Sequence, residues 1–303
     1  MLTIGVMTIV LRGIGMAKEI VIAGYFGVGI SVDAFMIAML LPTIALSSVI
    51  QSFPTAMMPV YIQVRTNAGK IAASDLYRNV ASLAIPVFLL CCVAIYAFGP
   101  TLTSIIVSEF PADARSLIRN LLYVVAPVTV LTGIRLLLAS PLNARERFGI
   151  VAAAPSFTAV TIILGVVLFS DRIGIYTLAT GTIVGAALEV ILLLTMCKRN
   201  NIGFMPRWSG RSQELRRVLK EFGPLAFGSM LLTSSIFVDQ AMAATLGPGN
   251  VASLGFGSRI TTVAVSLGTG VLATAVFPYF SKMVAQEDWD EIRHTLWTYA
   301  RIL

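Results

Sequence analysis

About eight times along this chain, an apolar run long enough to cross a bilayer is closed by a turn signal and followed by another. Roughly twenty apolar residues cross the ~30 Å hydrocarbon layer. Inside that layer every backbone polar group must be bonded within its own segment, so repeated runs of this length dictate a helical bundle. The runs fall at about 2–26, 31–62, 77–107, 115–141, 148–169, 174–197, 218–246 and 250–284. Composition agrees: 57% of the residues are hydrophobic and 12% charged, with a mean hydropathy of +0.86, more apolar surface than a water-facing exterior tolerates. The expected fold is an all-α polytopic membrane protein of about eight transmembrane helices. After the eighth run, residues 286–294 read as a short amphipathic surface helix, and residues 296–303 begin another apolar run. Eight residues do not complete a span, so the chain reads as a fragment of a longer protein, and another chain supplying the missing spans is one partner this ending admits.

The net charge of +7 belongs in this setting to cytoplasmic loops rather than to a nucleic-acid surface. The loops after spans two, four, six and eight carry fourteen basic residues: Arg65, Lys70 and Arg78; Arg145 and Arg147; Lys198, Arg199, Arg207, Arg211, Arg216, Arg217 and Lys220; Lys282 and Arg293. The opposite loops carry three, Arg115, Arg119 and Arg172. This bias places the N-terminus in the cytoplasm, in the cytoplasmic (inner) membrane. The first run has no cleavage site after it and is expected to remain as a span. Residues 1–199 then form a six-span lobe, 200–217 a basic cytoplasmic linker, and 218–303 the start of a second lobe. Within that linker region, Pro206, Trp208 and residues 211–220 are expected to form a surface helix with Trp208 at the headgroups. Cys91, Cys92 and Cys197 have no metal or disulfide spacing and read as small apolar fillers; no cofactor or metal is expected.

Function is sought where the apolar runs are broken. A charge within a span costs about 2.5–3.5 kcal/mol on insertion scales and normally faces a polar cavity or a partner. The first span holds Arg12 and the adjacent Lys18 and Glu19; it ends in the Gly27-Val28-Gly29 turn, and the second span opens with Asp33. Asp33 reads first as a helix cap, with substrate or gating contact as the alternative. Thr43, Ser47 and Gln51 recur at four-residue spacing on one helix face, lining a cavity or bonding between helices. Pro42, Pro54 and Pro59 in the same span permit bends. In the fourth span Arg135 has two readings, a further cavity cation or a structural bridge to Glu189 of span six, of which the bridge is preferred. Arg259, inside the eighth run, is read with Arg12 as a cavity cation, against the plainer reading of snorkelling or a structural pair. A guanidinium suits a diphosphate, since its planar fork bonds two oxygens at once.

An internal repeat supports two lobes. Glu19, Ala23, Gly27 and Gly29 recur as Asp239, Ala243, Gly247 and Gly249, each 220 residues on, so the first and seventh spans end alike and keep the same direction, as in parallel transporter repeats.

Residues 18–42, KEIVIAGYFGVGISVDAFMIAMLLP, resemble the opening of the MurJ (MviN) family, the lipid II flippases of the multidrug/oligosaccharidyl-lipid/polysaccharide exporter superfamily. Residues 238–260 and 270–282 resemble its seventh and eighth spans, and PLNARERFGIVAAAP at 141–155 its fourth-to-fifth connection. The resemblance implies a fourteen-span protein with a central cavity lined by spans one, two, seven and eight, whose arginines grip an anionic lipid-linked oligosaccharide. By position Arg12 matches a family arginine, Lys18-Glu19 an Arg-Asp pair, Asp33 an aspartate after the Gly turn, and Arg259 the arginine of span eight. Leu46 and Ser47 stand where the family has a basic pair, and Gln51 and Ser52 where it has Glu-Gly. The cavity thus has fewer charges, and both lipid II and a related undecaprenyl-linked polysaccharide precursor remain open.

The expected function is translocation of such an intermediate for cell-wall or polysaccharide synthesis. Arg12, Lys18, Arg259, Gln51 and Ser47 are the candidate substrate contacts; Glu19, Asp33, Gly27, Gly29, Asp239, Arg135 and Glu189 are gating or structural. An enzyme acting on a polyprenyl phosphate needs clustered carboxylates, a metal or a placed base, and the single histidine, His294, lies outside the spans. The alternatives kept are a non-transporting subunit or scaffold, suggested by the abrupt ending, and a drug exporter of the same superfamily, which predicts cavity acids rather than arginines.

Overall fold

The structure, a computed structural model, describes residues 2–107, 110–200, 202–203, 206–208, 210 and 212–265, with the backbone alone for 2–9. The chain divides into two compact units, Met1–Leu254 and Gly255–Leu303. In the first unit the element order is α1 (Leu2–Phe26), α2 (Ile30–Ala45), a π-helical segment (Leu46–Ile50), α3 (Ser52–Asn67), α4 (Gly69–Ile106), α5 (Ala112–Val125), α6 (Val128–Asn143), α7 (Phe148–Ala153), α8 (Pro155–Ile173), α9 (Tyr176–Arg199) and α10 (Gln213–Thr245), followed by a helical start at residues 250–254. In the second unit residues 255–265 are helical. No strand occurs among the described residues, and this is a multi-pass helical membrane protein.

Among the described residues six helical stretches are long and apolar enough to cross a membrane: Ile30–Asn67, Gly69–Ile106, Ala112–Asn143, Phe148–Ile173, Tyr176–Arg199 and Gln213–Thr245. Helix α1 has spanning length as well but carries Arg12, Lys18 and Glu19. The rest of the eighth run, the surface helix at 286–294 and the last apolar run lie outside the described residues. Several expected spans prove composite. The second is α2, the π segment and α3; the fourth divides at Pro127, which caps α6. The expected surface helix over Pro206, Trp208 and residues 211–220 forms only in part: residues 206–208 are not helical, and residues 213–220 are the first turns of α10. Ser212 caps α10 by accepting a hydrogen bond from Leu215 N at 3.1 Å, and α10 then runs unbroken through Thr245.

In a bilayer, lipid is as apolar as leucine, so helices associate by close packing and interhelical hydrogen bonds. Small residues set the distances here. A Cβ on Gly185 of α9 would lie 2.3 Å from the Thr158 Cα of α8, and one on Gly133 of α6 would enter the Phe88 ring of α4 at 2.4 Å. A larger cluster joins Phe53, Met57 and Tyr61 of α3 to Tyr77 and Phe88 of α4, and the start of α10 enters it through Leu215 and Val218. Phe53 stacks on Phe222 of α10 with ring centroids 4.1 Å apart. Beyond Gly223-Pro224 the helix changes character, and Phe227, Leu231, Leu232 and Met242 are exposed.

Candidate functional site: a polar seam along the second and seventh spans

The π segment places the middle of the seam. Gln51 N donates to the Leu46 carbonyl at 2.9 Å, a bond across five residues rather than four, and such wide turns recur at functional sites. Here α10 comes alongside, and Ser47 Oγ and Thr233 Oγ1 lie 3.1 Å apart. A hollow of about 240 Å³ opens beside them, lined by Ser47, Gln51, Ser52 and Thr55 on one side and Leu225, Ser229, Leu232 and Thr233 on the other. The expected stripe is therefore redrawn. Ser47 and Gln51 line the hollow, while Thr43 lies outside its lining. The wider π turn brings Ser52 onto the face of Ser47, and Thr55 follows four residues after Gln51. The α10 hydroxyls went unread in the sequence; Ser229 and Thr233, four apart on one apolar span, were the available signal.

At one end of the seam sits Asp33, fully buried. Its Oδ2 accepts from Gly249 N at 2.5 Å and its Oδ1 from Ala252 N at 2.6 Å. Asp33 is a cap, but of the helix that starts at residue 250, not of its own; α2 begins at Gly29 without a side-chain cap. The carboxylate thus faces two helix N-termini, where the backbone dipole favours negative charge, and the two amide bonds offset the cost of burying it. Both turns of the repeat belong here. Gly27 has φ +62°, and Gly247 and Gly249 have φ +102° and +88°, a region that favours glycine; Gly29, at φ −169°, is extended. At the other end, Arg217 Nη1 donates to Gln63 Oε1 at 2.6 Å.

The remaining predicted residues fall elsewhere. Lys18 Nζ and Glu19 Oε1 pair at 2.9 Å and are mostly buried. Arg12 is half-buried on α1, and Asp239 is exposed on α10. Arg259 is exposed in the helical part of the second unit. Arg135 Nε lies 3.0 Å from Glu189 Oε2, and Thr158 donates to Glu189 Oε1 at 2.5 Å, so spans four, five and six meet in one buried charged cluster. Two arginines serve as clasps: Arg65, in the last turn of α3, donates to the Ala144 carbonyl at the end of α6, and Arg145 to the Asn200 carbonyl at the end of α9. These are sites where cations satisfy orphan carbonyls. Among the described residues no group of His, Cys, Asp and Glu forms a candidate metal site.

A family model described as Lipid II flippase MurJ matches residues 22–303. The probable lipid II flippase MurJ of Buchnera aphidicola subsp. Acyrthosiphon pisum is 24% identical over 288 residues, covering 93% of this chain and 56% of that one. The lipid II flippase MurJ of Burkholderia cenocepacia is 24% identical over 300 residues, covering 96% of this chain and 58% of that one. A solved structure of lipid II flippase MurJ in an inward closed conformation shares the fold, with a TM-score of 0.71 at 19% identity over 87% of this chain and 55% of that one. The chain spans a little over half the length of these relatives.

Proposed function

This chain belongs to the lipid II flippase MurJ family, and from that premise we propose that it takes part in moving an undecaprenyl-linked sugar diphosphate, lipid II or a related polysaccharide precursor, across the cytoplasmic membrane for cell-wall or polysaccharide synthesis. The work is transport, not catalysis. The observation that carries the reading is the seam of hydrogen bonds between the second span and the chain from Arg217 to Ala252. Along it lie Gln63 with Arg217, Ser47 with Thr233, and Asp33 with Gly249 and Ala252. Asp33 and Gln63 are thirty residues apart, which is about 45 Å of helix, so the contacts span the membrane's depth. A seam held by a few hydrogen bonds parts more readily than a close-packed apolar one, as alternating access requires.

In this reading Asp33 is a latch on one side, Gln63–Arg217 a contact on the other, and Ser47 and Gln51 line the passage between. Arg12 and Lys18, with Glu19 balancing the charge, meet the diphosphate from the first span, where a guanidinium forms paired bonds to phosphate oxygens. Arg259, in the second unit, carries a guanidinium capable of the same paired bonds. The division into a lobe of residues 1–199, a linker of 200–217 and a second lobe from 218 goes with this mechanism, as does a cytoplasmic N-terminus.

The test is a cross-link across the seam. Cysteines replacing Ser47 and Thr233, whose oxygens lie 3.1 Å apart, are expected to form a disulfide in a background free of other cysteines. In cells relying on this protein for lipid II translocation, oxidation is expected to stop transport and reduction to restore it. Transport at the original rate with the cross-link fully formed would overturn the reading.

A further inference from the structure

The hollow beside the π segment is walled without charge. Its eight lining side chains are hydroxyls, one amide and two leucines. The hydroxyl protons are largely spent inside the protein. Ser47 Oγ donates to the Thr43 carbonyl at 2.8 Å, and Thr55 Oγ1 to the Gln51 carbonyl at 2.8 Å. Thr233 Oγ1 has the Ser229 carbonyl at 2.7 Å and shares the 3.1 Å contact with Ser47. Whichever of the two donates across that contact, neither proton is left over. A hydroxyl has one proton and two lone pairs, so Ser47 and Thr55 meet the hollow as acceptors. The Gln51 amide and the Ser229 hydroxyl keep their whole capacity, with no side-chain hydrogen bond among the described residues. Gln51 is exposed and Ser229 half-buried, so both are open to a ligand.

Such a surface discriminates. A diphosphate brings acceptors and negative charge; here it would find two side chains able to donate and no cation, and an anion taken from water without a partner is costly. A sugar ring brings several O–H donors for the acceptors, oxygens for the Gln51 amide and the Ser229 hydroxyl, and an apolar C–H face for Leu225 and Leu232. The volume, about 240 Å³, is below that of drug-sized sites and suits a single ring. Resting on the transport reading above, we propose that this hollow holds an uncharged sugar of the lipid-linked substrate, while the diphosphate stays with the cations of the first span. A sugar bearing a carboxylate is rejected, and Gln51 is the residue that sets this choice.

The probes are three farnesyl diphosphate diesters, ending in methyl, N-acetylglucosamine or glucuronic acid, titrated calorimetrically against the purified chain in a neutral detergent. Prenyl chain and diphosphate are common to all three, so the ratio of affinities reports the sugar. The N-acetylglucosamine diester is expected to bind about tenfold tighter than the methyl diester, the worth of one or two hydrogen bonds, and the glucuronic acid diester no tighter than the methyl one. Ser229→Ala is expected to lower the tenfold ratio. Gln51→Lys, a cation at an exposed position, is expected to reverse the order in favour of glucuronic acid, a gain that misfolding cannot produce. Equal affinity for all three, tighter binding of glucuronic acid by the unaltered chain, or an unreversed order in folded Gln51→Lys would each overturn the sugar assignment and leave the transport reading standing. Failure to bind any of the three would overturn the transport reading and the assignment with it.

Discussion

Each oxygen of the Asp33 carboxylate has its own backbone amide, Gly249 N and Ala252 N, which makes substitutions at this position easy to rank. Asn keeps one acceptor oxygen, and Ala keeps none and leaves two amides open. Asp33→Ala is expected to cost about 1–3 kcal/mol of stability, with Asp33→Asn in between, read as a graded fall in the midpoint of thermal unfolding in detergent. The Arg135–Glu189 pair allows a sharper test. Removing one partner strands a buried charge at about 3–5 kcal/mol, whereas replacing both with apolar residues of similar size is often neutral or stabilising. Arg135→Met alone is therefore expected to lower expression and melting temperature, and Arg135→Met/Glu189→Leu to restore them. That pairing was legible in the sequence, because a charge within a span requires a partner and few acids were on offer. The partners of Asp33 were not legible: a backbone amide 216 residues away leaves no trace in composition or periodicity.

Among the elements, the five-residue π segment Leu46–Ile50 has the most to say about the site. Three prolines in this span predicted bending, yet a fixed four-residue period grouped Thr43 with Ser47 and Gln51 and missed Ser52, although Thr55 continues that same period. A single extra residue in one turn is invisible to a pattern read at fixed period. Deleting Val49 is expected to turn the wide π turn into an α-helical one, with Gln51 N still on the Leu46 carbonyl but the local widening that opens the hollow removed. Membrane insertion should persist and transport be lost; transport at full rate by the deleted protein would show that the π segment does not set the site. The α8–α9 pair offers a parallel case. Gly185→Ala puts a methyl 2.3 Å from a backbone atom, so the helices must part. The expected result is a melting temperature lowered by several degrees and loss of the Thr158–Glu189 bond.

For the molecule as a whole, the sequence declared the bundle, its order of spans and the direction of its charge bias, because bilayer length and loop charge are local properties. It did not declare that the start of the seventh span packs into the cluster of the second and third, since Leu215, Val218 and Phe222 meet Phe53 and its neighbours only through tertiary packing. The charge bias predicts that cysteines placed at the exposed Trp208 and Leu246, in a background free of other cysteines, are labelled by a membrane-impermeant maleimide from opposite sides; labelling of both from one side would reverse the topology. The Asp33 cap carries a further consequence, in the time domain of synthesis. Its partners lie 216 and 219 residues downstream, so at about 5–20 residues per second the carboxylate waits roughly 10–40 s for them. Throughout that interval the acid stands at a membrane helix end without the amides that later satisfy it. Nascent chains arrested before Gly249 leaves the ribosome are therefore expected to lose Asp33 to a water-soluble carbodiimide, and chains arrested well beyond Ala252 to keep it.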